Sequence, residues 1–269
     1  MKISYMTFMT PEWTLDEVVA GARRHGYDGV ELRVLCGHKH GIEREASPPA
    51  RREARQRFAD AGIEIACLAT SCTFAARDPQ QRRENVESLK AYLQLAADVG
   101  APGIRVFGGA RPEGMSMEEA IAIVADDLHQ ACELACQANV GIWLETHDHF
   151  SRAADAAAAV TRAGCPCIAV NWDTMHPFRA GETIAESWSA LQEGALVRHV
   201  HLHDGADMDT GLKLLPIGEG TIPFHAPLRL LRDAGYDGYL SAEYYDELGP
   251  ADEALSRFIT GLRRVLSEL

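Results

Sequence analysis

The sequence predicts an α/β chain closed into a (β/α)8 barrel of the TIM type, one domain spanning residues 1–269. Three observations predict it. Eight apolar runs of strand length alternate with segments of helical period, as a parallel sheet built from βα units requires. The 269 residues come close to the roughly 250 typical of such barrels. An open doubly wound sheet would want a glycine-rich phosphate turn after an early strand, and Thr7-Phe-Met-Thr-Pro11 is not one.

Taken in order, the strands are expected at 3–8, 29–35, 63–69, 103–107, 142–147, 168–173, 197–203 and 239–244. Between them, Val86, Leu89, Leu93 and Ala96 share one face of a third helix, and Ile121, Val124, Leu128 and Ala131 one face of a fourth. Capping-box patterns at Thr14-Leu-Asp-Glu17, Ser116-Met-Glu-Glu119 and Thr183-Ile-Ala-Glu186 mark helix starts, as does Asp78 before Pro79. Gly26, Gly62, Gly100, Gly164 and Gly235 stand where a helix must stop and turn into the next strand. Gly-Tyr-Asp-Gly occurs at 26–29 and again at 235–238, a trace of the repeated unit.

Composition excludes several classes. Lys and Arg number 26 against 39 Asp and Glu, a net charge of −13, so the surface should repel nucleic acid and anionic membranes. No apolar run reaches the 18 or so residues of a membrane span, and residues 2–8 form a strand rather than a signal peptide. Seven scattered cysteines suggest reduced thiols in a cytoplasmic protein, and the pairs Cys165-Pro-Cys167 and Cys132/Cys136 lack the double CxxC pattern of structural zinc. The partner expected is a small molecule, with a homo-oligomer left open.

Strand parity identifies the barrel interior. The stretch V197-R-H-V-H-L-H-D204 places His199, His201 and His203 on one side of its pleat. The same alternation turns inward Trp143, Glu145 and His147, then Asn171 and Asp173, then Ser241, Glu243 and Tyr245, with Arg105, Glu31 and Arg33 from earlier strands. Glu145, Asp173 and Glu243 all lie at C-terminal strand ends, where barrel sites are built. Buried together they need a cation, and with His201 at matching depth they form an oxygen-rich divalent-metal site. Mn²⁺ is expected first, Mg²⁺ or Co²⁺ next, with Zn²⁺ disfavoured. His199, one step deeper, is expected to hydrogen-bond a ligand carboxylate, and His203 to face solvent or substrate. Arg105 is read as an anchor for an acidic ligand or as the ion-pair partner of Glu31.

With Glu145 in L-E-T-H, Asp173 in W-D-T-M-H, His201 in H-V-H-L-H-D and Glu243 in S-A-E-Y-Y, the chain resembles the xylose isomerase-like barrel superfamily, nearest its sugar epimerases, ketose isomerases and inosose dehydratases. The resemblance implies that Glu145, Asp173, His201 and Glu243 bind one divalent ion and that the two glutamates exchange protons with substrate. It also implies that His176 contacts substrate oxygens, and His147 is read alongside it. The chemistry expected is proton abstraction beside the carbonyl of a keto-sugar or related polyol, giving isomerisation or epimerisation. Dehydration of an inosose or keto-sugar on the same site is the alternative, and an apurinic endonuclease-like phosphodiester hydrolase a more distant one. One departure stands out: Asp207 occupies the position where ketose 3-epimerases of the family usually carry arginine, which leaves Lys213 or Arg179 to supply that cation.

Overall fold

A computed structural model describes the chain except residues 209, 210 and 245–248 and the side chain of Asp207. The inward placement of Tyr245 and the consequence of Asp207 therefore lie outside the described residues. The strands are β1 (Lys2–Met6), β2 (Gly29–Arg33), β3 (Glu64–Thr73), β4 (Gly103–Phe107), β5 (Gly141–Glu145), β6 (Ile168–Asp173), β7 (Val197–Leu202), β8 (Asp204–Met208), β9 (Gly211–Leu215) and β10 (Tyr239–Ala242). The helices are α1 (Leu15–His25), α2 (Pro48–Ala61), α3 (Pro79–Val99), α4 (Met117–His129), α5 (Cys132–Ala138), α6 (Ala153–Ala163), α7 (Met175–Arg179), α8 (Ile184–Gln192), α9 (His225–Asp233) and α10 (Ala251–Ser267).

The eight expected strands are all present and close in the order β1-β10-β7-β6-β5-β4-β3-β2, every pair parallel. Helix starts follow the sequence signals: Thr14 and Thr183 form reciprocal capping boxes, and Ser116 accepts from the Glu119 amide. Parity holds as well. Val30, Leu32, Ile104, Val106, Ile142, Leu144, Val170, Trp172, Val200 and Leu202 are buried in the layer between sheet and helices.

Inside the barrel the apolar content is small. Cys67, Trp143 and Ala169 form a separate floor cluster, with the Trp143 indole stacked on His199 at 5.4 Å. Paired Gly103 and Gly141 make room for that indole, since a Cβ on either would lie 2.3 Å from it. Above this floor the interior is polar.

Two features were not expected from sequence. β8 and β9 form an antiparallel hairpin outside the barrel directly after β7. The buried Asp204 carboxylate anchors it by accepting from the amides of Gly218, Gly220 and Ile222, which explains the Gly218-Glu-Gly220 loop. The cysteines also correct the expectation of free thiols: Cys132 is disulfide-bonded to Cys165 and Cys136 to Cys167, whereas Cys36, Cys67 and Cys72 are free. The reason is that α5 is a separate short helix, whose cysteines at i and i+4 share a face turned to the segment leading into β6. No helix among the described residues is long and apolar enough to cross a membrane.

Candidate active site

Glu145 ends β5, Asp173 ends β6, His201 lies in β7 and Glu243 follows β10, so four strands deliver four side chains to one depth. One oxygen or ring nitrogen from each lies within 4.8 Å of the others, and all four residues are buried. Asp173 and His201 are direct register partners, while Glu145 pairs with Asn171 and His201 with Ser241, so Glu145 and Glu243 each stand two residues off that register and reach the cluster with their side chains. His201 Nδ1 lies 2.8 Å from Glu243 Oε2 and 3.2 Å from Glu145 Oε1.

Asp173 is fixed from the backbone. Its Oδ1 accepts from the amides of Met175 (2.8 Å) and His176 (3.1 Å), which leaves Oδ2 turned to the His203 ring at 2.7 Å. Thr146 latches the same strand end, donating to the Asp173 carbonyl and accepting from its amide.

The electrostatics follow from burial against close opposite charge. Burial alone would raise Glu243, but His201, with help from Arg105 and His203, brings its carboxyl down to about 2. Asp173 is likewise held below the usual carboxylate range, with burial opposed by His203 and His176. His201 is pushed well up: burial opposes its charge, while Glu31, Glu243 and Glu145 surround it.

His199 takes a different partner from the one expected. Its Nε2 meets Glu31 Oε2 at 2.9 Å rather than a carboxylate of the four-residue cluster. Glu31 also reaches His201 Nε2 at 3.0 Å and accepts from Ser241 at 2.7 Å. It thus fixes the far side of the His201 ring, in the manner of a carboxylate behind a metal-bound imidazole. Sequence parity had already turned Glu31 inward. Its partners lie 168 and 170 residues away across the barrel, a pairing that parity alone does not give.

Arg105 is buried, and its Nε lies 3.1 Å from Glu145 Oε2. That pairing replaces the alternative with Glu31 and spends part of its charge within the protein. His147, His176 and His203 come together at the mouth, with ring centroids 4.4 Å and 5.5 Å apart in succession. Burial disfavours charge on His147, yet Asp148 at 3.0 Å and Glu145 push it up to about 9. His176 is held below its ordinary value by burial, which outweighs Asp173. Lys213 is not brought into the cluster: it is exposed on β9. Arg179 is exposed at the end of α7.

Comparison with known proteins is consistent with this geometry. The profile of a family described as xylose isomerase-like TIM barrel matches residues 19–262. A fructoselysine 3-epimerase of Escherichia coli O157:H7 is 25% identical over 172 residues, covering 62% of this chain and 61% of that protein, so the chain spans about three fifths of that relative's length. A zinc-containing IOLI protein superposes with TM-score 0.85 at 19% identity, covering 100% of this chain and 99% of that one. A probable 3-DHS dehydratase, AsbF of Bacillus anthracis, gives TM-score 0.78 at 19% identity over 98% and 99% of the two chains. At those identities the structural likeness is one of fold.

Proposed function

Because the chain belongs to the xylose isomerase-like TIM barrel family, we propose that it is a divalent-metal-dependent isomerase or epimerase that moves a proton beside the carbonyl of a keto-sugar or related polyol. The observation that carries this reading is the pair Glu145 and Glu243. Both reach the same nitrogen of His201, yet they come from strands that β6 and β7 separate in the barrel.

The donor set fits a hard cation. Glu145 Oε2, Asp173 Oδ2 and Glu243 Oε2 are buried without an aligned hydrogen-bond donor, although His201, His203 and Arg105 stand close by. Several buried anionic oxygens in that condition call for a metal ion. Glu145, Asp173, His201 and Glu243 would hold it, and when bound it supplies Lewis-acid polarisation of the substrate carbonyl. Three carboxylates and one imidazole favour Mn²⁺, then Mg²⁺ or Co²⁺. The zinc of the IOLI structure makes Zn²⁺ the ion to test against them.

With two carboxylates from strands that β6 and β7 separate, one removes the proton and the other returns it. Return to the opposite face of the same carbon gives an epimer, and return to the neighbouring carbon an isomer. His147, His176 and His203 offer ring nitrogens to substrate hydroxyls at the mouth. One observation favours dehydration as a second reading: His147, pushed up to about 9, can protonate a departing hydroxyl after the same first step. Phosphodiester hydrolysis is disfavoured by the net charge of −13.

The test is incubation with Mn²⁺ in D₂O against ketoses, inososes and 3-keto-glycosides. Deuterium in recovered sugar with a new epimer or isomer is the expected result, whereas loss of water from the product selects the dehydratase. Absence of uptake and of product across the panel, with Glu145→Gln indistinguishable from wild type, overturns both.

A further inference from the structure

Far from the carboxylate cluster, four of the seven cysteines meet at the opposite end of β6. Cys132 and Cys136 stand one helical turn apart on α5, and Cys165 and Cys167 flank Pro166 just before the strand begins. The Cα atoms of the bonded pairs lie 5.9 and 5.7 Å apart, and Cys136 Sγ also lies 3.9 Å from Cys165 Sγ, across the two disulfides. Cys132, Cys136 and Cys165 bring all three sulfurs within 4.8 Å of one another.

That spacing suits more than covalent pairing. A tetrahedral site with metal–sulfur bonds of about 2.3 Å places its sulfurs about 3.8 Å apart, close to the separation already present between Cys136 and Cys165. Two ligands one turn apart on a helix and two across a Cys-Pro-Cys turn provide four sulfurs without any contribution from the active-site residues. A soft thiolate set selects a different class of cation from the oxygen-rich cluster at the barrel mouth.

We infer that, once reduced, Cys132, Cys136, Cys165 and Cys167 form a tetrathiolate site for a thiophilic divalent cation, so that reduction exchanges two disulfides for one bound metal. The exchange balances. Each disulfide accepts two electrons from a phosphine and two protons, the phosphine leaves as its oxide with oxygen from water, and two thiols remain. Binding of the cation then displaces up to four thiol protons, so affinity rises with pH.

The experiment uses the full chain, reduced without oxygen by a water-soluble phosphine, desalted and titrated with Co²⁺. Expected is a sulfur-to-cobalt charge-transfer absorption in the near ultraviolet that saturates at one equivalent. It should be absent from the oxidised protein, lost in Cys136→Ser/Cys165→Ser, and kept in Asp173→Asn/Glu243→Gln, which separates this site from the proposed active site. No such band in the reduced wild-type chain overturns the inference, as does a band that survives the double cysteine substitution. Because the wild-type comparison needs no variant, misfolding of a variant cannot mask the result. A reduced chain that loses its far-ultraviolet circular dichroism and does not regain it with Co²⁺ also counts against it.

Discussion

The two walls of the barrel carry polar residues at similar depth but put them to different use. On one wall β5, β6, β7 and the end of β10 present Glu145, Asp173, His201 and Glu243, with carboxylate oxygens left without aligned donors. On the facing wall β2 and β4 present Glu31 and Arg105, both engaged with the first set: Glu31 with His201, and Arg105 with Glu145. A buried charge is tolerated only with a counter-charge or hydrogen bonds. The first wall keeps that requirement partly unmet, which is the condition for binding something else; on the second, Glu31 meets it through His199, His201 and Ser241 and so positions His201, whereas Arg105 has its ion pair with Glu145 but no aligned acceptor for Nε or Nη1.

The largest effect should follow from breaking the first wall. Glu145→Gln and Glu243→Gln remove a proton-carrying group and an anionic oxygen, and each is expected to lower kcat/KM by roughly 10²–10⁴. Steady-state turnover on whichever sugar the D₂O screen identifies would measure it. A loss under tenfold in either variant would remove that residue from proton transfer.

Next is a group beside the second wall that affects stability rather than chemistry. His40 is buried, with Nδ1 accepting from the Ile42 amide at 3.1 Å and Nε2 meeting the Arg33 carbonyl at 3.0 Å. That arrangement suits the neutral ring, since a proton on Nδ1 would face an N–H. Burial accordingly lowers its pKa from 6.5 to about 4, against the opposing pull of the Arg33 carbonyl. In the unfolded chain the ring takes up a proton near 6.5, so the fold keeps this contribution above that pH and loses it as the pH falls toward 4. Such a shift corresponds to about 3 kcal/mol. Urea midpoints at pH 7 and pH 4.5 should therefore diverge more for wild type than for His40→Gln; equal divergence would assign the acid sensitivity elsewhere.

Glu31→Gln probes the support directly, with a smaller effect. An outer carboxylate that orients a metal-bound imidazole typically contributes 10–100-fold in metal affinity. Competition titration with Mn²⁺ should show a weakening in that range while the fold persists. An unchanged affinity would reduce the Glu31–His201 contact to packing.

This contrast between walls was only half legible in the sequence. Parity sorts residues by side of a strand, which is enough to group Glu145, Asp173, His201 and Glu243 from the sequence alone. Choosing a partner across the barrel needs the register and closure of all eight strands, and so His199 was expected beside a ligand carboxylate and not beside Glu31. The cysteine pairs were hidden for a different reason. Their meeting depends on a helix break between His129 and Cys132 that carries neither proline nor glycine. The β8–β9 hairpin follows β7 after a single residue, His203, and its anchor, Asp204, reads in sequence as one more polar residue at a strand end.

The smallest effect expected is at Lys213, and it tests whether the hairpin belongs to the site at all. Lys213 was a candidate for the cation that Asp207 fails to provide, yet it is exposed on β9, where its backbone pairs with Ala206. An exposed lysine gains little from a single ionic contact, on the order of 0–1 kcal/mol. Lys213→Ala should consequently change KM by no more than about twofold and leave kcat alone, read on the same substrate as the glutamate variants. A tenfold rise in KM at constant kcat would mean that the hairpin closes over bound substrate, and the cation opposite the carboxylate wall would then come from β9 in place of Arg105.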